Sequence, residues 1–163
     1  MKKLSILCSA MALGLLIACG GNDGGSTNQS SDANSEAPKS MVNTSEYDPK
    51  RGEGKWNKEN VELGASVNAA MATEGKKIFD VKCASCHKLS DERLVGPGWK
   101  GVTTRQPAPW IMNFITNPDA MIDKDPELQA QLEICLVRMP NQNLTDEEAR
   151  KLLEFMRQND GVQ

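Results

Sequence analysis

The chain has 163 residues, which is enough for one domain of ordinary size and leaves little for a second. Hydrophobic residues make up 39% and charged residues 25%, and the mean hydropathy of −0.49 excludes a protein with several membrane spans. The formal net charge is −3 and the sequence has no basic stripe, so its composition argues against nucleic acid as a partner.

The N-terminus carries the features of an export signal. Two lysines follow the first methionine, and the apolar run over 4–18 is shorter than the roughly 20 residues of a transmembrane helix. The run ends in Leu-Ile-Ala-Cys, which resembles the lipobox of bacterial lipoproteins; the alternative is an ordinary signal peptide with an incidental cysteine. We therefore predict a signal peptide over 1–18 and a lipidated Cys19 that anchors the protein at the periplasmic or other extracytoplasmic face of a membrane.

A polar segment follows the predicted anchor. Residues 20–40 include four Gly, five Ser and three Asn, so this stretch buries too little apolar surface to offset its ordering entropy. We predict a lipidated cysteine and disordered linker over 19–45 and a folded domain over 46–163. Within that domain, residues 46–72 contain turn-forming Gly and Pro and are treated as an N-terminal extension whose path the sequence does not define.

The central motif of the chain is Cys-Ala-Ser-Cys-His. In it, Cys83 and Cys86 enclose two residues and His87 follows directly, which is the attachment sequence of c-type haem. A thioredoxin-like pair would need a βαβ context, a structural zinc site needs four ligands, and a simple disulfide would leave His87 without a role. The motif therefore predicts one covalent haem c, bound through both thiols, with His87 as an axial ligand of the iron.

The spacing of apolar residues predicts helices and no strand. The predicted helices run from an N-cap at Thr73 to Lys82, over 108–116, from Pro126 onward, and over 146–158. Asp125 is predicted to cap the third of these helices, in which Cys135 packs as a small buried residue, and Thr145 with Glu148 forms a capping box before the last. Residues 88–106 are predicted to be loop, and Asn117-Pro118 to end the second helix. With seven aromatic residues the core is thin, so we expect haem to complete it.

The second axial ligand cannot be histidine, because the chain contains only one. Among five methionines in the domain, Met112 and Met156 fall in helical patterns, Met71 precedes the first helix, and Met121 lies in a polar stretch. Met139 is followed by proline on a loop between two predicted helices, so it is our candidate for the opposite face of the haem. A packing role for Met139, with a less common ligand or an open iron, is the alternative.

Taken together, these residues resemble the class I monohaem c-type cytochromes. Residues 74–79 look like that family's first helix, residues 95–98 like its proximal loop, and Met139-Pro140 with the start of the last helix completes the pattern. The resemblance implies a cytochrome c-like all-α fold of about four helices around one covalently bound haem. It also implies that the Pro97 carbonyl accepts the N–H of the proximal imidazole.

The same resemblance implies that Gly75 and Phe79 of the first helix cross Leu152 and Phe155 of the last. Trp99 stands where the family usually has leucine. A narrower resemblance links the chain to small cytochromes that accompany, or are fused to, one group of nitrous-oxide reductases; it rests on residues 47–49, 89–93, 110–113 and 135–142. It would make Cys135 a feature of that subgroup.

The predicted function is electron transfer rather than catalysis, and no catalytic residue is assigned. An iron ligated by both His87 and Met139 has no open position for a substrate. We predict a membrane-anchored periplasmic carrier that exchanges electrons with a donor and an acceptor protein, and nitrous-oxide reductase is the acceptor that the narrower resemblance indicates. Because the chain is acidic, a charged partner is expected to dock through a basic patch. The alternative is a haem-based sensor or a peroxidase-like enzyme with an open sixth site.

Overall fold

The computed structural model describes residues 47–163, and within this range the chain forms six helices and no strand. The helices are α1 (Ala69–Lys82), α2 (Val102–Arg105), α3 (Ala108–Thr116), α4 (Pro118–Ile122), α5 (Pro126–Cys135) and α6 (Asp146–Asn159). The all-α class is confirmed, but there are six helices in the described part rather than about four. No helix within 47–163 combines the length and the apolar character needed to cross a membrane. The predicted signal peptide, Cys19 and linker lie outside the described residues.

The main contact of the domain is the crossing of α1 and α6. Gly75 makes this crossing possible, because a Cβ at that position would collide with the carbonyl oxygen of Lys151. Next to it, the rings of Phe79 and Phe155 lie 5.6 Å apart between centroids. Leu152 is 1% exposed at the same interface. The expected crossing is therefore present, and it is the most extensive helix–helix contact of the described residues.

The first helix begins earlier than its sequence suggested. The side chain of Asn68 accepts a hydrogen bond from the Met71 N–H at 3.1 Å and caps α1. Thr73 is therefore an interior residue rather than the cap, and its Oγ1 donates to the carbonyl of Ala69 at 2.8 Å. Met71 consequently lies in the first turn of α1 and not ahead of it.

Two short helices were missed. Residues 102–105 form α2 inside the predicted loop, and Pro118 begins α4 as well as ending α3. Proline suits both roles. It disfavours helical backbone in the residue before it, and its missing N–H is not needed in the first turn of a helix. Met121 thereby belongs to α4 and is fully buried, not in a polar loop.

The other helix ends agree with the sequence. Asp125 caps α5 by accepting from the N–H groups of Glu127 and Leu128. Thr145 and Glu148 form the predicted capping box at the start of α6.

Residues 47–68, here called the strap, precede α1 and contain no helix. The strap is held by buried polar side chains of the helices it crosses. Asn113 of α3 donates to the carbonyls of Arg51 and Trp56 at 2.9 and 3.0 Å, and Arg157 of α6 donates to the carbonyl of Gly64 at 2.7 Å. The N-terminal extension therefore packs on the domain instead of standing apart from it.

Candidate haem site

A cavity of about 720 Å³ lies between the helices, within the size range of small-molecule and cofactor sites. It is lined by the attachment motif, by the 95–100 loop, by α3 and α5, and by the loop that carries Met139. Cys83, Cys86, His87 and Met139 all line this one cavity. Met139, more than fifty positions after the attachment motif, is thus brought to the same site as the motif.

The attachment motif forms a tight turn at the end of α1. The backbone N–H groups of Cys86 and His87 both donate to the carbonyl of Cys83, at 3.0 and 2.9 Å. Both thiols are free; Cys83 is buried and Cys86 is half-buried. Burial raises the pKa of the Cys83 thiol to about 11. Cys83 is therefore a protonated thiol at the wall of the cavity.

His87 is oriented by the loop opposite it. Its Nδ1 lies 2.8 Å from the carbonyl oxygen of Pro97, and since a carbonyl can only accept, Nδ1 carries the proton. Gly96 lies against the imidazole so closely that a Cβ there would collide with the ring. Burial lowers the pKa of His87, and the Pro97 hydrogen bond offsets this only in part. The ring is therefore neutral, with the lone pair of Nε2 left for a ligand.

An aromatic cluster supports this side of the cavity. Trp99 is buried, and its ring lies 4.6 Å from Phe79 and 5.9 Å from His87 between centroids. Phe155 of α6 completes the cluster at 6.5 Å from Trp99. Trp99 therefore connects the α1–α6 crossing to the imidazole, a role that its position in the proximal loop did not reveal.

Met139 lies on the loop between α5 and α6 and is half-buried at the cavity. Of the methionines in the described residues, Met139 and Met156 line the cavity. Met156 is 2% exposed within α6, whereas Met112 and Met121 are fully buried elsewhere in the core. Position on a loop at the wall favours Met139 over Met156 as the residue whose sulfur can reach a bound group.

Cys135 does not pack as the sequence predicted. It is half-buried and lines the cavity near the end of α5, rather than lying in the core between helices. The sequence also shows no sign of the apolar wall of the cavity. Its members in α3 and α5 are Trp110, Ile111, Phe114, Ile115, Leu128 and Leu132. The helical periodicity placed these side chains on one face but could not show that the face borders a cavity.

The residues present fit a covalently bound haem. Two thiols stand three positions apart on one turn, a neutral imidazole with a fixed tautomer stands next to them, and a thioether lines the same cavity. The walls between them are largely aliphatic and aromatic, as a flat apolar ring requires.

Comparisons with known proteins agree with this geometry. A cytochrome c from Rhodothermus marinus is 36% identical, with a TM-score of 0.60 over 63% of this chain and 87% of that chain. An engineered form of that protein is 35% identical, with a TM-score of 0.59 over 63% and 88% of the two chains. The same engineered protein bound to a carbene intermediate gives a TM-score of 0.56 at 35% identity, over the same shares of the two chains.

A search of curated proteins gave no match. The family model described as cytochrome c matches residues 72–160, which is more than half of the chain. That family binds covalent haem c and serves haem-based electron transfer, and this chain belongs to the cytochrome c family.

Proposed function

We propose that the protein is a membrane-anchored electron carrier whose haem iron is ligated by His87 and Met139. The observation that carries this proposal is that the attachment turn and the Met139 loop line the same cavity. A carrier needs an iron with both axial positions filled and a reduction potential raised by a thioether, and these two residues supply that pair.

Each residue of the site has a definite task in this proposal. The thiols of Cys83 and Cys86 hold the haem, which when bound supplies an iron that changes between Fe(III) and Fe(II). The Pro97 carbonyl fixes the His87 tautomer and orientation. The apolar residues of α3 and α5 exclude water, so that little reorganisation accompanies the change in charge.

The ligation is tested with Met139→Ala in the haem-loaded protein. We expect haem to stay covalently attached, the weak far-red band of a methionine–iron bond to disappear, and cyanide or azide to bind readily. Met156→Leu is the matched control, because Met156 lines the same cavity but is held inside α6. Loss of the band in Met156→Leu, with a normal spectrum in Met139→Ala, would assign the ligand to Met156 instead.

A second candidate is an enzyme or sensor with an open iron position. The engineered relative bound to a carbene intermediate is the observation in favour of this candidate. Against it, Asp91 is the one carboxylate among the described residues that line the cavity, which leaves few groups for acid–base chemistry. Carbon monoxide binding to the reduced wild-type protein at the rate of the Met139→Ala variant would favour this candidate over a carrier.

The anchoring part of the proposal concerns Cys19 and an extracytoplasmic location. It is supported by the apolar run that ends in Leu-Ile-Ala-Cys and by a c-type haem motif. We expect the wild-type protein in the membrane fraction and Cys19→Ser in the soluble fraction, with the same haem spectrum in both. Equal solubility of the two proteins would contradict lipidation. Nitrous-oxide reductase is the proposed acceptor, on the narrower resemblance of residues 47–49, 89–93, 110–113 and 135–142.

A further inference from the structure

Helix α5 is a part of the cavity wall that is only loosely embedded in the core. Leu128 is its one fully buried residue, and its principal helix neighbour is α4 rather than α1 or α6. Ile134 and Leu136, at its C-terminal end, are 61% and 83% exposed. The position of α5, and of the Met139 loop that continues from it, therefore depends on the contacts at its ends.

The N-terminal end of α5 is held by one buried carboxylate. Asp125 is 3% exposed, and its Oδ1 accepts the capping bonds from Glu127 and Leu128. Its Oδ2 accepts from Trp110 Nε1 at 3.0 Å and from the Tyr47 hydroxyl at 2.5 Å. One side chain thus joins α5 to α3 and to the first residue of the strap.

The hydroxyl of Tyr47 is a constant donor in this arrangement. Burial raises the pKa of Tyr47 far above its usual value, and the hydrogen bond to Asp125 raises it further. The phenol therefore stays protonated, and able to donate, at neutral pH. Tyr47 is not among the residues that line the cavity, so its effect on the site passes through Asp125 and α5.

The other end of α5 has a weaker attachment. Arg138, next to Met139, pairs with Asp119 and Asp123 of the α4 region at 3.2 and 2.9 Å. All three side chains are exposed, and exposed pairs of this kind contribute little to stability. The buried attachment at Asp125 is therefore the one that can restrain the helix.

We propose that the hydrogen bond from Tyr47 to Asp125 is a latch by which the strap positions α5, and through it Met139, against the haem cavity. This proposal rests on the proposed ligation by Met139. Tyr47 and Asp125 are positioning residues: they set how often the Met139 loop moves away and opens the iron to molecules from solution.

The latch is tested with Tyr47→Phe in the full-length haem-loaded protein, because this change removes one hydroxyl and keeps the ring. The ferric protein is mixed with imidazole at concentrations where loop opening limits the rate. We expect binding to be about five- to tenfold faster than in the wild type, the factor expected for one net hydrogen bond. Amide hydrogen exchange over residues 128–135 should accelerate by a similar factor, while exchange in α1 stays unchanged.

Thr103→Val is the matched control. The Thr103 hydroxyl donates to the Asp160 carboxylate at 2.7 Å, so this variant also loses one hydroxyl–carboxylate bond, but away from the strap and α5. We expect it to leave both imidazole binding and α5 exchange unchanged. Equal acceleration in the two variants would mean that losing either hydrogen bond loosens the whole domain, which would overturn the latch. No acceleration in Tyr47→Phe would overturn it as well.

Failure of the latch and failure of the ligation give different results. If Met139 is not a ligand, the far-red band is missing in the wild type or survives in Met139→Ala, and imidazole binding no longer reports on α5. Amide exchange over 128–135 still decides the latch in that case. If the wild type shows the band, Met139→Ala loses it, and Tyr47→Phe leaves both measurements unchanged, the ligation stands and the latch is wrong.

Discussion

Glu154 of α6 is a buried carboxylate that ties the last helix to the strap. Its side chain is 1% exposed and accepts from the backbone N–H of Asn68 at 3.0 Å. It also pairs with Arg150 at 2.7 Å and with Arg157 at 2.9 Å. Burial alone would raise the pKa of Glu154, but these hydrogen bonds and cations outweigh it and lower the pKa below its usual value.

Glu154→Gln should destabilise the protein in a pH-dependent way. The folded-state pKa is lower than the unfolded one, so ionised Glu154 stabilises the fold above about pH 4.3, and this contribution is lost as the pH falls through the folded pKa. At pH 7 we expect a loss of about 3 kcal/mol, because Arg157 is left buried without its partner. The loss should shrink as the pH is lowered from about 4.3.

The measurement is guanidinium unfolding of both proteins at pH 7 and below pH 4. Glu147→Gln is the control, since that carboxylate pairs with Lys151 on the surface and is 75% exposed. It should change stability little at any pH. A Glu154→Gln effect that is constant with pH would mean that hydrogen bonding alone, without charge, accounts for the role of this residue.

At the scale of single residues, the sequence defined the attachment turn well, because covalent chemistry fixes the spacing of Cys83, Cys86 and His87. The Pro97 contact followed from a family resemblance and not from the spacing itself. Cys135 was placed in the core because helical periodicity separates buried from exposed faces but does not distinguish a core from a cavity wall. Glu154 gave no signal, since its partner Asn68 is 86 positions away.

At the scale of elements, the helices with strong caps and apolar stripes were predictable, and α3, α5 and α6 begin where the sequence placed them. The short helices α2 and α4 were not, because four or five residues carry less than two turns of periodicity. The strap was also unpredictable. The strap is held in place by helix side chains that donate hydrogen bonds to its backbone. Because the strap has no periodic pattern of apolar residues, its sequence gives no sign of these contacts.

Asn113 gives a test of the strap as an element. It is 1% exposed, and besides its two bonds to strap carbonyls it accepts from the Trp56 N–H at 2.9 Å. Asn113→Ala leaves these buried backbone groups unpaired, so we expect a loss of about 1–3 kcal/mol in the free energy of unfolding. Limited proteolysis should cut within 47–60 faster than in the wild type, while the haem spectrum is retained.

Asn159→Ala is the control for that experiment. Asn159 also donates from a helix to a loop carbonyl, that of Leu89 at 3.1 Å, but this carbonyl lies outside the strap. In the Asn159→Ala variant, protease sites within 47–60 should be cut at the wild-type rate. Equal cutting in both variants would mean that the strap opens only when the whole domain unfolds.

At the scale of the whole molecule, the charge around the cavity differs from the net charge. The chain carries −3, yet the charged residues that line the cavity are mostly basic: Lys82, Arg93, Lys100, Arg105 and Arg138, with Asp91 as the one acid among them. Two haem propionates would neutralise part of this excess. If electrons leave through this cavity, an acidic partner surface fits its cations, whereas the net charge predicts a basic one.

This charge distribution predicts how electron transfer to the proposed acceptor, purified nitrous-oxide reductase, should depend on salt. We expect the stopped-flow rate with the reduced soluble domain to fall as ionic strength rises from about 0.02 to 0.5 M, since screening shortens the reach of the exposed cations. Arg93→Gln with Lys100→Gln should be about three- to tenfold slower at low salt and equal to wild type at high salt. Lys58 is an exposed strap lysine that does not line the cavity, so Lys58→Gln should behave as wild type.

Fast transfer whose rate does not change with salt would assign docking to the exposed apolar residues Val81, Ile134 and Val137 at the cavity. No transfer at any salt would exclude this enzyme as the acceptor and leave the carrier role in place.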